Sequence, residues 1–333
     1  LSVFSDDYVT DRYPNEWGQA LNFDGPRSEG MREFVVQNAC YWIEEFHLDG
    51  LRLDAVHAIY DMGARPLLRA IKEVAEGVAS KQNRTIEIIA ESDQNDPRVV
   101  GPVDRGGYGL DGQWADDLHH AIHTLLTGEL RGYYADFGKP EHLVKVLNSP
   151  FLHAGTYSPI RKRKHGAPPT GLGGEKFVVC IQNHDQVGNR ARGDRIAEKL
   201  DDDQLACAAL LTLAGPFTPM LFQGEEWAAS TPFAFFTSHP EPELGKATAE
   251  GRLEEFERMG WDPAVVPDPQ DPQTFHRSKL DWDEVARVGV TDDEHRCLRR
   301  RLVQGVRRPL RRQRRRRQQS SRPQPRERPG PVA

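Results

Sequence analysis

Long apolar runs are missing from this 333-residue chain. No stretch approaches the roughly 18 consecutive apolar residues that a bilayer-spanning helix needs, and nothing at its start reads as a secretory leader. No membrane partner is expected. Cysteine is scarce and scattered: Cys40, Cys180, Cys207 and Cys297 form no Cys-x-x-Cys pair. They suit reduced thiols of a cytoplasmic protein, not a zinc site or a disulfide frame. Basic residues are also few outside the C-terminus. Residues 298–333 hold 14 Arg and one acid, a balance of +13, so the other 297 residues carry 30 basic and 49 acidic groups, or −19. Nucleic-acid binding depends on Lys and Arg neutralising phosphates, so such an acidic body speaks against that partner. It fits an enzyme with a neutral substrate.

What is present is an alternation of short apolar runs and amphipathic stretches. Apolar residues recur at helical spacing over Arg32–His47, Pro66–Val78, Leu118–Leu126 and Leu205–Ala214, and Tyr133–Leu147 reads as a further helix. Between them, Leu51–Leu53, Ile86–Ala90, Gly112–Trp114, Phe177–Ile181 and Pro219–Gly224 read as strands. Short apolar strands alternating with helices predict an α/β fold with a parallel sheet covered on both faces. Leu1–Pro26 reads as a polar loop, and Gly155–Gly174 as a basic, Gly/Pro-rich excursion.

About five strands are legible where a (β/α)8 TIM-barrel needs eight, and five cannot close alone. The expectation is an incomplete barrel domain over 1–282, truncated at its N-terminal side. A degenerate segment over 283–333 follows, disordered from about 299, because Arg307–Arg328 has like charges and no apolar periodicity. Such a fragment is expected to be poorly soluble or inactive alone.

Three acids close predicted strands. Asp54 lies in Gly50-Leu-Arg-Leu-Asp54-Ala-Val-His57, Glu91 in Ala90-Glu91-Ser92-Asp93, and Asp185 in Gln182-Asn-His184-Asp185-Gln186. Carboxylates at the C-terminal ends of barrel strands converge on one rim, where barrel enzymes keep their active sites. Two of them suffice to break a glycosidic bond, and a third stabilises the positive charge developing on the sugar ring.

Asp54 suits the nucleophile. Arg52, two residues earlier on the same strand face, holds it ionised. A lone strand-end Asp is more often a helix cap; the Arg-x-Asp-x-x-His setting is what distinguishes this one. Glu91 suits the proton donor, since its apolar strand would partly desolvate it; a salt-bridged structural glutamate is the plainer alternative. His184 and Asp185 suit a clamp on adjacent sugar hydroxyls, with Gln186 and Asn189 continuing the rim. His57 suits hydroxyl binding, though such a residue is often a helix cap.

In Asp111-Gly-Gln-Trp114-Ala-Asp116-Asp117-Leu-His119-His120, Trp114 offers a flat apolar face for a pyranose, or else belongs to the core. Asp116 and Asp117 suit acceptors of hydroxyl hydrogen bonds. Asp116, His119 and His123 also allow a metal site on paper, but no His-Glu-x-x-His pattern accompanies them. No metal or other cofactor is expected. Gly171-Leu-Gly-Gly174 lacks the Gly-Lys-Ser/Thr of a phosphate loop.

These motifs together resemble the α-amylase superfamily over about Leu1–Trp282. Tyr157-Ser-Pro-Ile-Arg161, Phe222-Gln-Gly-Glu-Glu-Trp227, Pro232-Phe-Ala-Phe-Phe-Thr237 and Ser278-Lys-Leu-Asp-Trp282 add a finer likeness to its trehalose-releasing members. The resemblance implies Asp54 as nucleophile, Glu91 as acid/base and Asp185 as transition-state stabiliser. It implies substrate contacts from Arg52, His57, Trp114, Asp116, Asp117, His184, Gln186 and Asn189. The implied partner is malto-oligosyltrehalose or a related α-glucan, cut at the α-1,4 bond beside its terminal trehalose with retention. A glucan branching enzyme and a non-catalytic carbohydrate-binding fragment are the competing expectations.

Overall fold

The computed structural model describes residues 1–15, 18–258 and 262–287. It divides into two units, 1–280 and 281–333. Of the second, only 281–287 are described, with a short helix α9 at Asp283–Arg287. The Arg-rich stretch and the expected disorder from about 299 lie outside the described residues.

In chain order the elements are β1 (Val9–Asn15), β2 (Gly18–Leu21), α1 (Glu29–Glu44), β3 (Gly50–Leu53), α2 (Leu67–Gln82), β4 (Glu87–Ala90), β5 (Gly112–Trp114), α3 (Asp117–Thr127) and α4 (Pro140–Asn148). There follow β6 (Thr156–Ser158), β7 (Arg163–His165), β8 (Phe177–Val179), α5 (His184–Gly188), α6 (Asp202–Leu213), β9 (Thr218–Pro219), α7 (Pro242–Arg258) and α8 (Pro272–Arg277).

Five strands form one sheet in the order β3-β4-β5-β8-β9, every neighbouring pair parallel. This is the expected α/β architecture. Parallel neighbours need crossover connections, and α2 bridges β3 to β4 as α6 bridges β8 to β9. The helix α2 buries Leu67, Leu68, Ile71, Ala75 and Val78, a stripe at 3.6-residue spacing. It ends at Asn83 in the left-handed conformation that favours Asn at this position. Ile88 and Ala90 of β4 are completely buried. Gly50 opens β3 because a Cβ there would meet the Glu87 carbonyl oxygen at 2.4 Å. The core joins these strands to Met31 and Ile43 of α1, Leu118 and Ile122 of α3, and Phe151 and Phe177, whose rings pack edge to face.

Four expectations need correction. The polar start is no plain loop: β1 and β2 form an antiparallel hairpin within it. Tyr133–Leu147 is not one helix, because a 3-10 turn at Gly132–Asp136 stops before Gly138, whose φ of +101° an α-helix does not tolerate, and α4 restarts with Pro140 at its first turn. The basic excursion carries a second hairpin, β6 with β7. Finally, β8 and β9 are shorter than expected, ending at Val179 and Pro219, so Asp185 belongs to the first turn of α5.

Candidate active site

The parallel register sets the site. Leu53 pairs with Ala90, so the next residues, Asp54 and Glu91, leave neighbouring strands side by side. Adjacent strands lie about 4.8 Å apart. Ala55 then takes a left-handed backbone, φ 41° and ψ 46°, a conformation costing a non-glycine residue about 1–3 kcal/mol. That turn aims the Ala55 N–H at Glu91, donating to Oε2 at 2.6 Å. The Val56 N–H donates to the Glu91 carbonyl at 3.0 Å. Strain in the one segment is thus used to fix the carboxylate of the other.

Arg52 stands at the centre. Its Nη1 bonds Asp54 Oδ1, while Nη2 lies 3.9 Å from Glu91 Oε2 and 3.8 Å from Asp185 Oδ2. Residues 54, 91 and 185 therefore converge around a single guanidinium, although they come from three separate stretches of chain. The guanidinium lies 4.3 Å from the centroid of the Trp114 ring, a cation–π contact that fixes both planes. Trp114 meets His184 edge to face at 6.1 Å, and His184 Nε2 lies 3.4 Å from Asp185 Oδ2. Exposure differs sharply across the cluster: the Asp54 side chain is 77% exposed, Asp185 51% and Glu91 19%.

A second layer backs this cluster. Asp116 accepts from Gln186 Nε2 at 3.4 Å. Burial pushes its carboxyl up to about 6; His120 opposes the shift, and the charges of Asp117, Glu91 and Asp185 add to it. Burial likewise raises Glu225 to about 7, against the Phe222 N–H and Gln182, with Glu226 adding to the shift. The Cys180 thiol, buried between the two, is pushed well up, first by burial and then by Asp116 and Glu225.

Several expected site residues turn elsewhere. Asp117 is buried and accepts from the Leu152 N–H at 2.6 Å and Asn95 Nδ2 at 3.0 Å. Burial opposes its charge, but His120 and these donors outweigh it, so the carboxyl stays below its usual range. Asn189 faces away as well, its Oδ1 accepting from Arg252 Nη2 of α7 at 2.7 Å. His57 lies 3.7 Å from Asp93. Both nitrogens of His119 are engaged, Nδ1 donating to the Ile181 carbonyl at 2.6 Å and Nε2 accepting from the Tyr134 hydroxyl at 2.8 Å. His119 is a structural histidine, and among the described residues no cluster is arranged to hold a metal ion.

The hairpin β6–β7 contributes a residue that the sequence reading did not assign to the site. Asp136 receives the Ser158 hydroxyl and the Ile160 N–H, pinning the hairpin tip. The tip delivers Arg161 to Asp93, Nη1 to Oδ2 at 3.0 Å. Asp93, two residues beyond Glu91, thus sits between Arg161 and His57. Its sequence signals were the basic run Arg161-Lys-Arg-Lys-His165 and the Tyr157-Ser-Pro-Ile-Arg161 motif.

No family model matches the chain. It is 56% identical over 274 residues to a malto-oligosyltrehalose trehalohydrolase of Rhizobium sp. (strain M-11), covering 82% of this chain and 46% of the relative. A protein of the same name from Mycobacterium tuberculosis is 48% identical over 272 residues, 81% of this chain and 47% of the relative. One from Saccharolobus solfataricus is 44% identical over 275, covering 83% and 47%. The chain spans about half the length of the curated relatives it matches. A solved Salmonella typhimurium structure, provisionally named an alpha amylase, superposes with a TM-score of 0.75 at 36% identity, over 84% of this chain and 47% of that one.

Proposed function

The chain is a relative of the malto-oligosyltrehalose trehalohydrolases of the α-amylase superfamily, and from that kinship we propose that it supplies the catalytic rim of a retaining glycoside hydrolase. Its strands are the later part of a (β/α)8 barrel. The substrate is malto-oligosyltrehalose, cut at the α-1,4 bond next to the terminal trehalose.

The observation that carries this reading is the gathering of Asp54, Glu91 and Asp185 around Arg52. In the first step Asp54 attacks the anomeric carbon while Glu91 gives its proton to the departing O4 of trehalose. The C1–O4 bond breaks as the Asp54–C1 ester forms. In the second step Glu91 takes a proton from water, whose oxygen attacks C1 and releases the Asp54 carboxylate. Retention requires the two carboxyl groups about 5–5.5 Å apart, the scale that adjacent parallel strands supply. Asp185 faces the positive charge spread over C1 and the ring oxygen, and Arg52 holds the Asp54 carboxylate in place through its Nη1. Trp114, His184, Gln186 and Asp116 line the rim where the ring is held.

The test is incubation of the 333-residue chain with malto-oligosyltrehalose, following free trehalose and the anomer first formed. Trehalose with an α-configured reducing end on the other product supports the reading. New α-1,6 branch points would point to a branching enzyme, and carbohydrate binding without turnover to a binding fragment.

A further inference from the structure

The three acids are not held alike. Arg52 Nη1 bonds Asp54 Oδ1, and the Ala55 N–H donates to Glu91 Oε2 at 2.6 Å. The Asp185 carboxylate receives no hydrogen bond among the described residues. Arg52 Nη2 lies 3.8 Å from its Oδ2 and His184 Nε2 3.4 Å, and the side chain is half exposed. Its place is therefore set by the backbone that carries it.

That backbone is α5, five residues long. A helix so short does not stand alone, because fixing the first turn costs more than its hydrogen bonds return. At its start the Asn183 side chain accepts the Gln186 N–H at 2.9 Å. At its end the Asp185 carbonyl accepts the Asn189 N–H at 2.8 Å, so the turn closes on Asp185 itself. Towards the sheet, Gln186 reaches Asp116 only at 3.4 Å. The shorter ties come from α7: Arg252 Nη2 donates to the Gly188 carbonyl at 2.9 Å and to Asn189 Oδ1 at 2.7 Å. One nitrogen thus grips the last residue of α5 and the residue that caps it.

The guanidinium doing this is itself fixed. Its Nη1 donates to Glu255 Oε2 at 2.8 Å, less than one turn along α7. The rings of Phe235 and Phe256 flank it, with centroids 4.5 and 4.7 Å away, and the side chain is 11% exposed. A planar, stacked guanidinium loses little further freedom in bonding two acceptors at once. An arginine that only packed α7 against the body would have no reason to place both acceptors on the turn that carries Asp185.

We infer that Arg252 is a positioning residue: it holds the end of α5 against α7 and so sets where the Asp185 carboxylate stands relative to Arg52 and Glu91. Its catalytic consequence rests on the hydrolase reading above. A group that stabilises charge only in the transition state must be in place beforehand, and a shift of about 1 Å can cost on the order of 10²-fold in rate.

The experiment compares the 333-residue chain with its Arg252→Ala, Arg252→Lys, Asp185→Asn and Arg252→Ala/Asp185→Asn variants. Amide exchange is followed by mass spectrometry over 184–189 and, for reference, over β3 and β4. In Arg252→Ala the 184–189 segment should exchange about ten-fold or more faster while β3 and β4 stay unchanged. Arg252→Lys keeps a cation able to donate to one of the two acceptors and should restore part of that protection. For trehalose release, kcat of Arg252→Ala should fall about 10–100-fold with KM little changed. In the Asp185→Asn background the same change should cost less than about two-fold, because the group it positions is already gone. Unchanged exchange over 184–189 overturns the inference. So does acceleration shared equally by β3 and β4, or an undiminished cost in the Asp185→Asn background. If 184–189 loosens as expected but the wild-type chain releases no trehalose, Arg252 still places Asp185 and the hydrolase reading falls.

Discussion

Two polar clusters lie back to back in this molecule, and they are built on opposite rules. Around Arg52, three carboxylates face one cation and two are at least half exposed. In the other, α3 and the segment after α5 hold a largely buried network in which the charged groups are paired with one another. Glu129 accepts from His123 Nε2 at 3.0 Å and pairs with Arg190 and Lys199, each at 3.2 Å. Arg190 Nε donates to Asp194 at 2.7 Å, and Tyr134 stacks on His123 at 4.4 Å. The first cluster leaves hydrogen-bonding capacity for a substrate. The second spends it on holding the rim, since a buried charge is tolerated only when paired and hydrogen-bonded.

Substitutions should separate the two. Glu91→Gln keeps the shape but removes the transferable proton, so on the proposed reaction trehalose release should fall by about 10²–10⁴-fold, with the melting temperature almost unmoved. An equal fall in both quantities would erase the distinction. Glu129→Ala should do the reverse, costing about 1–3 kcal/mol of stability by removing the acceptor that His123, Arg190 and Lys199 share while Arg190 keeps Asp194, read as a fall in denaturation midpoint. The Glu129 pKa is lowered first by the His123 hydrogen bond and then, against burial, by Arg190 and Lys199. Its contribution is therefore full above the ordinary carboxylate range and lost as pH falls through the depressed value.

Asp116 joins the clusters, and its sign is opposite. Folding raises its pKa from 3.8 to about 6, so stability from this group is present below 3.8 and is lost as pH rises through about 6. Asp116→Asn should flatten the melting temperature across that window; an unchanged slope would mean that another acid titrates there. The smallest effect belongs to the exposed pair Arg192–Glu198. Arg192→Ala should change stability by less than about 0.5 kcal/mol, and a larger loss would show that surface pairs, too, hold the rim.

The same contrast explains what was readable beforehand. Asp54 and Glu91 were legible as neighbours because each directly follows a short apolar strand, whereas Asp185, six residues beyond the end of β8, reaches Arg52 from the first turn of α5. Asp117 was misleading for an equally local reason. It follows Asp116 directly, but α3 begins there, and one residue along a helix turns a side chain by about 100°, here into Leu152 and Asn95. Tyr13, Asp93 and Arg161 carried no periodic signal, because their partners lie 47 residues away for Tyr13–Tyr60 and 68 for Arg161–Asp93.

By itself, the amino-acid sequence determined the alternation of strand and helix, the place of Asp54 and Glu91 at strand ends and the acidic balance of the body. Those follow from spacing and charge within a few residues of each position. Only tertiary structure decided that Arg52 would collect all three acids, that one hairpin would bring Tyr13 to Tyr60 and the other Arg161 to Asp93, and that His119 would be consumed by Ile181 and Tyr134. Each of these depends on loop closure between distant segments, whose entropy cost is met by contacts that no local pattern announces.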